Sequence, residues 1–113
     1  MKKTKMLKKN YEFKAILTKG KPFFGKNISA FILENGKNYN FLGLAISVKI
    51  GKAVRRNKIK RLLRENYKNL EKDISSGKSI VFLFNKKSDV NSITYKNIKD
   101  DMENIFKKAK MFE

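Results

Sequence analysis

The sequence predicts an α+β fold, a two-layer sandwich of helices packed on a small sheet, and three observations carry that prediction. Helical and strand periodicities follow one another as helix, two or three strands, helix, strand, helix, an αβββαβα-type arrangement. The 113 residues fit one domain, spanning 1–113, with little room for a second. Nine Phe, four Tyr and a hydrophobic fraction of 41% suffice for one modest core and leave little surplus stability.

Taken in order, the first helix begins near Lys8 or Asn10, with Asn10 as N-cap. It carries Phe13, Ile16 and Leu17 on one face until Lys19-Gly20 and Pro22 stop it. Phe23 to Leu33 is extended, with Ile28, Ala30 and Ile32 alternating against Ser29, Phe31 and Leu33. Glu34-Asn35-Gly36-Lys37 holds an Asn-Gly turn, a strong hairpin signal, and Tyr39 to Val48 reads as the returning strand. Leu42, Leu44, Ile46 and Val48 face one way. The other side (Phe41, Gly43, Ala45, Ser47) is mostly small, so a close packing partner is expected there.

Gly51 breaks this strand, and a helical pattern runs from about Ala53 to Lys72. After a Ser75-Ser76-Gly77 turn, Ser79 to Phe84 is almost continuously apolar, as a strand buried on both faces or near the sheet centre would be. Asn85 to Asn91 is a polar loop. The last helix sets Tyr95, Ile98, Met102, Ile105, Phe106 and Ala109 on one stripe, with Asp100, Asp101 and Glu103 on a solvated side. By the general rule the strand–helix–strand unit around residues 40 to 84 crosses over right-handedly.

Charge narrows the function. Lys and Arg total 28 against 10 acids, a formal charge of +18, and self-repulsion at that level calls for an anionic partner. That partner is a nucleic acid or an anionic membrane surface. With no Cys there is no disulfide or thiolate metal site, and with no His the usual general base and commonest metal ligand are missing. No apolar run approaches the roughly 18 residues needed to span a bilayer. Asn10, Glu12 and Lys14 interrupt any apolar segment after the basic start, so no signal peptide is read and the expected compartment is the cytoplasm. The acids form no catalytic constellation, and the protein itself is expected to lack hydrolytic activity.

The helix over 53–72 divides into two faces. Ile59, Leu62, Leu63, Tyr67 and Leu70 form an apolar arc for the sheet. Arg56, Lys60 and Arg64 recur at i, i+4 and i+8, with Asn57, Arg61 and Lys68 in a neighbouring row. Like charges at that spacing destabilise an isolated helix by roughly 0.2–0.5 kcal/mol per pair, a sign that a facing phosphate lattice reverses. The only four Arg residues of the chain, Arg55, Arg56, Arg61 and Arg64, all lie here, where a guanidinium can hold phosphate in a two-pronged contact that Lys cannot match.

The stretch Ile46-Ser47-Val48-Lys49-Ile50-Gly51-Lys52-Ala53-Val54-Arg55-Arg56-Asn57-Lys58-Ile59-Lys60-Arg61-Leu62-Leu63-Arg64-Glu65 resembles the signature of the bacterial ribonuclease P protein family. That pattern is a Ser-Lys-Lys-like strand end followed by Gly-Asn-Ala-Val-x-Arg-Asn-Arg-x-Lys-Arg-x-x-Arg-Glu. The likeness extends to the Leu7, Lys8, Lys9 and Phe13 opening, the length and the element order. Departures are Val48 for one Lys, Lys52 for Asn, Lys58 for the second Arg of the triplet, and Asn85 where the family often has Arg after the buried strand.

The resemblance implies the non-catalytic subunit of a ribonucleoprotein that removes the 5′ leader of precursor tRNA. Its catalytic RNA performs the Mg²⁺-dependent hydrolysis and chiefly binds the Mg²⁺. It implies that Arg56, Asn57, Lys60, Arg61 and Arg64 contact the catalytic RNA or order its metal-bound region. A cleft between the first helix and the sheet would hold the leader. Phe13 matches the cleft aromatic, Phe31 falls where another is expected, and Lys9 and Lys49, with Lys8 and Lys14, could line the channel. The implied fold is ribosomal-protein-like, a small mixed sheet with a left-handed βαβ crossover, against the general rule. The implied partners are the catalytic RNA and precursor tRNA, with no membrane and no small-molecule substrate. Two rivals remain: a ribosomal or general RNA-binding module of the same fold, and a membrane-surface protein. The mostly aliphatic, core-sized apolar arc disfavours the second.

Overall fold

The apolar spacings build the expected helices, and a strand joins them that the periodicity did not announce. In the computed structural model, which describes residues 2–113, the order is β1 (Thr4–Met6), α1 (Asn10–Lys19), β2 (Lys21–Phe24), β3 (Ile28–Glu34), β4 (Asn40–Ala45), α2 (Ala53–Leu70), β5 (Lys78–Phe84) and α3 (Tyr95–Lys108). Short 3₁₀ turns follow β4 at Val48–Ile50 and α2 at Glu71–Asp73. The unannounced strand is β1. Three residues are too few to show a period, and β1 is held from elsewhere: the Glu71 carboxylate accepts from the Lys2 and Lys3 amides at 3.0 and 3.4 Å. Lys9 rather than Asn10 is the N-cap of α1, with its amide donating to Glu12 Oε1 at 3.1 Å.

The sheet order is β1-β4-β5-β3-β2, so the hairpin expected at Asn35-Gly36 does not form. β5 inserts between β3 and β4, antiparallel to the first and parallel to the second. Burial decides this: Ile80, Val81 and Phe82 are fully buried, so the most apolar strand gains most from neighbours on both edges and helices on both faces. The Asn-Gly segment still turns, but it is tied to the intruding strand. Asn35 Oδ1 accepts from the Lys37 amide at 2.8 Å, and its Nδ2 donates to Tyr39 O at 3.1 Å and Ser79 Oγ at 3.3 Å.

α2 and α3 cover one face of the sheet and α1 alone covers the other. The α2–α3 side holds the main core, in which Phe106 meets Tyr67 and Phe82 edge-on at centroid distances of 6.2 and 6.0 Å. The α1 side is smaller, with Leu7, Ile16 and Val81 buried and Phe13, Leu17 and Phe31 half-buried around them. Between layers, the Tyr67 hydroxyl meets Thr4 Oγ1 at 2.7 Å and accepts from Asn40 Nδ2 at 3.3 Å, which locks α2 to β1 and β4. Burial holds the Tyr67 phenol above its ordinary value, those two hydrogen bonds opposing and the nearby Glu71 charge reinforcing the shift.

The handedness of the β4–α2–β5 crossover follows from one residue. Leu42 sends its side chain into the α2–α3 core, and its carbonyl accepts from the Leu7 amide at 2.8 Å on the β1 side. Seen from that core with β4 running upward, an L-residue facing the viewer directs its own N–H and C=O to the right. β1 is therefore on the right and β5 on the left, and the connection crosses leftward in front of the sheet. It is left-handed, the exception to a rule obeyed in about 98% of such units.

Asp101, expected on a solvated side, is buried. α3 lies across the β2–β3 turn, and the Asp101 carboxylate accepts from the amides of Lys26, Asn27 and Ile28 at 3.3, 2.6 and 3.2 Å. α3 begins with a Thr94–Asn97 capping box and ends with Lys110 at φ 56°. There the Met111 amide donates to Phe106 O at 2.9 Å, the turn that Gly usually closes, and a side chain in it costs roughly 1 kcal/mol.

Candidate RNA interface

The basic helix face is set by the way α2 lies on the sheet. Ile59, Leu62, Leu63 and Tyr67 are buried as the apolar arc requires, leaving the cationic rows outward. Gly51 leads into the helix at φ 144°, a conformation open to Gly but strained for other residues. Arg56 braces this entry by donating from Nε to Gly51 O at 3.2 Å, so one predicted phosphate ligand also has a structural bond.

Of the five predicted helix residues, Arg56 lines neither cavity and the other four divide between two surfaces. Asn57, Arg61 and Arg64, with Val54 and Lys58, rim a shallow open groove of about 730 Å³. Lys60 instead turns toward α1 and lines a second cavity of about 450 Å³ with Asn10, Phe13, Leu44, Ala45, Ile46 and Ser47. Among the described residues, Arg61 is the only cation of α2 in an ion pair, with Glu65 at 3.8 Å and both groups exposed. With no other cation of α2 in an ion pair among the described residues, the helix is left with an uncompensated positive charge suited to a polyanion. Lys58, a departure from the family pattern, donates to Val90 O at 3.2 Å and thereby ties α2 to the loop before α3. Asn85, another departure, is a turn residue accepting from the Lys87 amide at 3.0 Å.

The expectation of a close packing partner over the small residues of β4 is met by Phe13. A Cβ placed on Gly43 would lie 2.5 Å from Phe13 Cε1 and 2.8 Å from Leu7 Cδ1, so the ring lies directly on the strand backbone. Phe13 is half-buried, with its open part toward the cavity. Phe31 is on the same side of the sheet, two strands away: Gly43 pairs with Val81 and Val81 with Phe31, about 10 Å across the ladder. It belongs to the small core under α1 and does not line the cavity. Lys9 and Lys49 are exposed and flank it, next to or two residues from the lining positions Asn10 and Ser47.

Two aromatic features escaped the sequence reading. Tyr11 is 68% exposed on α1 with the Lys9 ammonium 5.7 Å from its ring centre, and Phe24 is 65% exposed on the edge strand β2. Neither stands out in a chain with 13 Phe and Tyr residues, because exposure of a single aromatic leaves no periodic signal.

A small α+β domain with an uncompensated arginine-bearing helix face beside an aromatic-floored cavity is, by fold and charge, a nucleic-acid-binding protein. Among the described residues no helix is long and apolar enough to cross a membrane. The family model described as Ribonuclease P matches residues 1–110. The ribonuclease P protein component of Clostridium botulinum (strain 657 / Type Ba4) is 39% identical over 111 residues, covering 97% of this chain and 98% of the relative. The solved RNase P protein of Staphylococcus aureus superposes with a TM-score of 0.83 at 32% identity, covering 96% of this chain and 97% of that one. That of Thermotoga maritima gives 0.84 at 28% identity over 92% and 96%. The chain belongs to the ribonuclease P protein family.

Proposed function

We propose that this protein works as the RNA-binding, non-catalytic subunit of ribonuclease P, holding the catalytic RNA on α2 and the 5′ leader of precursor tRNA in the cavity beside Phe13. The observation that carries this reading is the separation of the two surfaces on one helix. Asn57, Arg61 and Arg64 face outward to a groove too open for a small molecule, while Lys60 turns into a cavity floored by an aromatic ring. Guanidinium groups on the outer face suit the phosphates of a folded RNA. Phe13 suits an unpaired base, with Lys60, Lys9 and Lys49 close enough to neutralise the strand's phosphates. Arg56 keeps the entry of α2 in place for both. Phe31 supports the floor under α1 and acts on the leader through Phe13.

Among the described residues no three carboxylate, Cys or His groups come together. In this reading Mg²⁺ is bound by the catalytic RNA, which hydrolyses the precursor, and the protein lowers repulsion between two polyanions. The site of action is the cytoplasm, where precursor tRNA is made.

The test is cleavage of precursor tRNA by the cognate catalytic RNA at low Mg²⁺, with and without the protein. Stimulation is expected, and none would overturn the proposal. Arg61→Ala and Arg64→Ala should each weaken binding to that RNA and flatten its salt dependence by about one unit of log–log slope. A fall in affinity with the slope intact would remove their phosphate role.

A further inference from the structure

The end of the molecule remote from these surfaces carries a second basic pocket. It lies where β3 ends and β5 begins, whereas the Phe13 cavity lies where β4 ends. Lys21 and Phe23 of β2, Glu34 of β3, Lys78 of β5 and Lys108 and Lys110 from the end of α3 surround about 340 Å³, within the size range of small-ligand sites. Register explains the convergence. Lys21 pairs with Ile32 and Glu34 with Lys78, so their side chains share the α2–α3 face, and the last turn of α3 closes over them.

Charge in the pocket is unbalanced. Glu34 is matched by Lys78 at 2.9 Å, which leaves Lys21, Lys108 and Lys110 without an acid in the lining. Lys108 spends one donor on Phe24 O at 3.2 Å and keeps two. Lys21 stands 5.6 Å from the Phe23 ring centre, an apolar wall that lowers the local dielectric. Lys110 adds its charge from a left-handed position where a residue serving the turn alone would be Gly.

We propose that this pocket binds a phosphate group, through Lys21, Lys108 and Lys110, at a site separate from α2 and from the Phe13 cavity. The phosphate could be carried by an RNA backbone or be a free ion, and the measurement distinguishes them. Amide shifts of the full-length protein are followed by NMR during titration with inorganic phosphate and, separately, with penta-uridylate. Shifts at Lys21, Phe23, Ala109 and Lys110 should exceed those at the exposed Lys96 and Lys99, which line none of the three surfaces. Such shifts with the oligonucleotide assign the phosphate to RNA, and shifts with inorganic phosphate alone assign it to the free ion. Equal or absent shifts with both titrants overturn the site.

The decisive variant is Lys110→Gly combined with Lys21→Gln. Gly suits the left-handed turn, so folding is retained, and thermal unfolding checks this. The pocket shifts should fall severalfold. If RNA is the source, the salt slope for cognate catalytic RNA should drop by about 0.7–0.9 for each phosphate no longer held. Undiminished shifts in a folded double variant also overturn the proposal. None of these residues belongs to α2, so failure here is separable from failure of the ribonuclease P reading.

Discussion

The two faces of the sheet are built from the same strands and put to different uses. On the α2–α3 side, twenty buried residues form one continuous cluster with rings packed edge-on. On the α1 side the buried hydrophobic cluster among the described residues is Leu7, Ile16 and Val81, and the aromatics Phe13, Phe31 and Phe41 stay half open. A single ten-residue helix cannot cover a five-stranded sheet, and what it leaves uncovered at the end of β4 is the cavity. One face therefore supplies stability, and the other gives up burial to keep an aromatic surface accessible.

The largest effect should come from the filled face. Phe106→Ala removes a fully buried ring and should cost about 3–5 kcal/mol in urea unfolding. A cost below about 1 kcal/mol would mean that the α1 side carries more stability than its burial suggests. Gly43→Ala tests the open face. The new methyl group has no room beneath Phe13, so roughly 1–3 kcal/mol of stability should be lost and the ring displaced. Binding of leader-bearing precursor should then weaken more than binding of mature tRNA. Equal weakening would return Phe13 to a purely structural role.

Tyr67 joins the core to the sheet edge, and its effect is smaller and depends on pH. Its phenol is held above the ordinary 10.0, so the folded protein keeps the proton longer than the unfolded chain does. That contribution is complete below about pH 10 and is lost as pH rises from there through the raised folded value. Tyr67→Phe should cost about 1 kcal/mol at neutral pH, from the missing bonds to Thr4 and Asn40, and should flatten the alkaline fall in stability. An unchanged alkaline profile would assign that fall to other groups. The smallest effect is expected at the surface. Glu65→Gln frees Arg61 from an exposed pair, should change stability by less than about 0.5 kcal/mol, and should slightly tighten binding to catalytic RNA. Weaker binding would show that the pair orients Arg61 for contact.

Much of this was legible in the chain because it is local. The apolar arc Ile59, Leu62, Leu63 and Tyr67 fixed both the buried side of α2 and the outward side of its arginines, since helical spacing decides the two together. The near-continuous run Ser79 to Phe84 announced a central strand, and the small residues of β4 announced a close neighbour. Other features needed distant partners. Asn35-Gly36 reads as a hairpin turn, but the apolar demand of β5 for a central position, over 40 residues later, separates β3 from β4. Asp101 reads as solvated until the β2–β3 turn supplies three amides 73 to 75 residues away.

The basic helix shows the same division. Its register, its arginines and its partner's chemistry are properties of neighbouring residues, and the sequence by itself determined them. Only the tertiary structure decided that Lys60 parts from Asn57, Arg61 and Arg64 to join Phe13. That depends on where α1 begins above the end of β4, and on a left-handed crossover that brings α2 to that edge. Spacing within an element sets which residues share a face, whereas contacts between elements set which faces share a site.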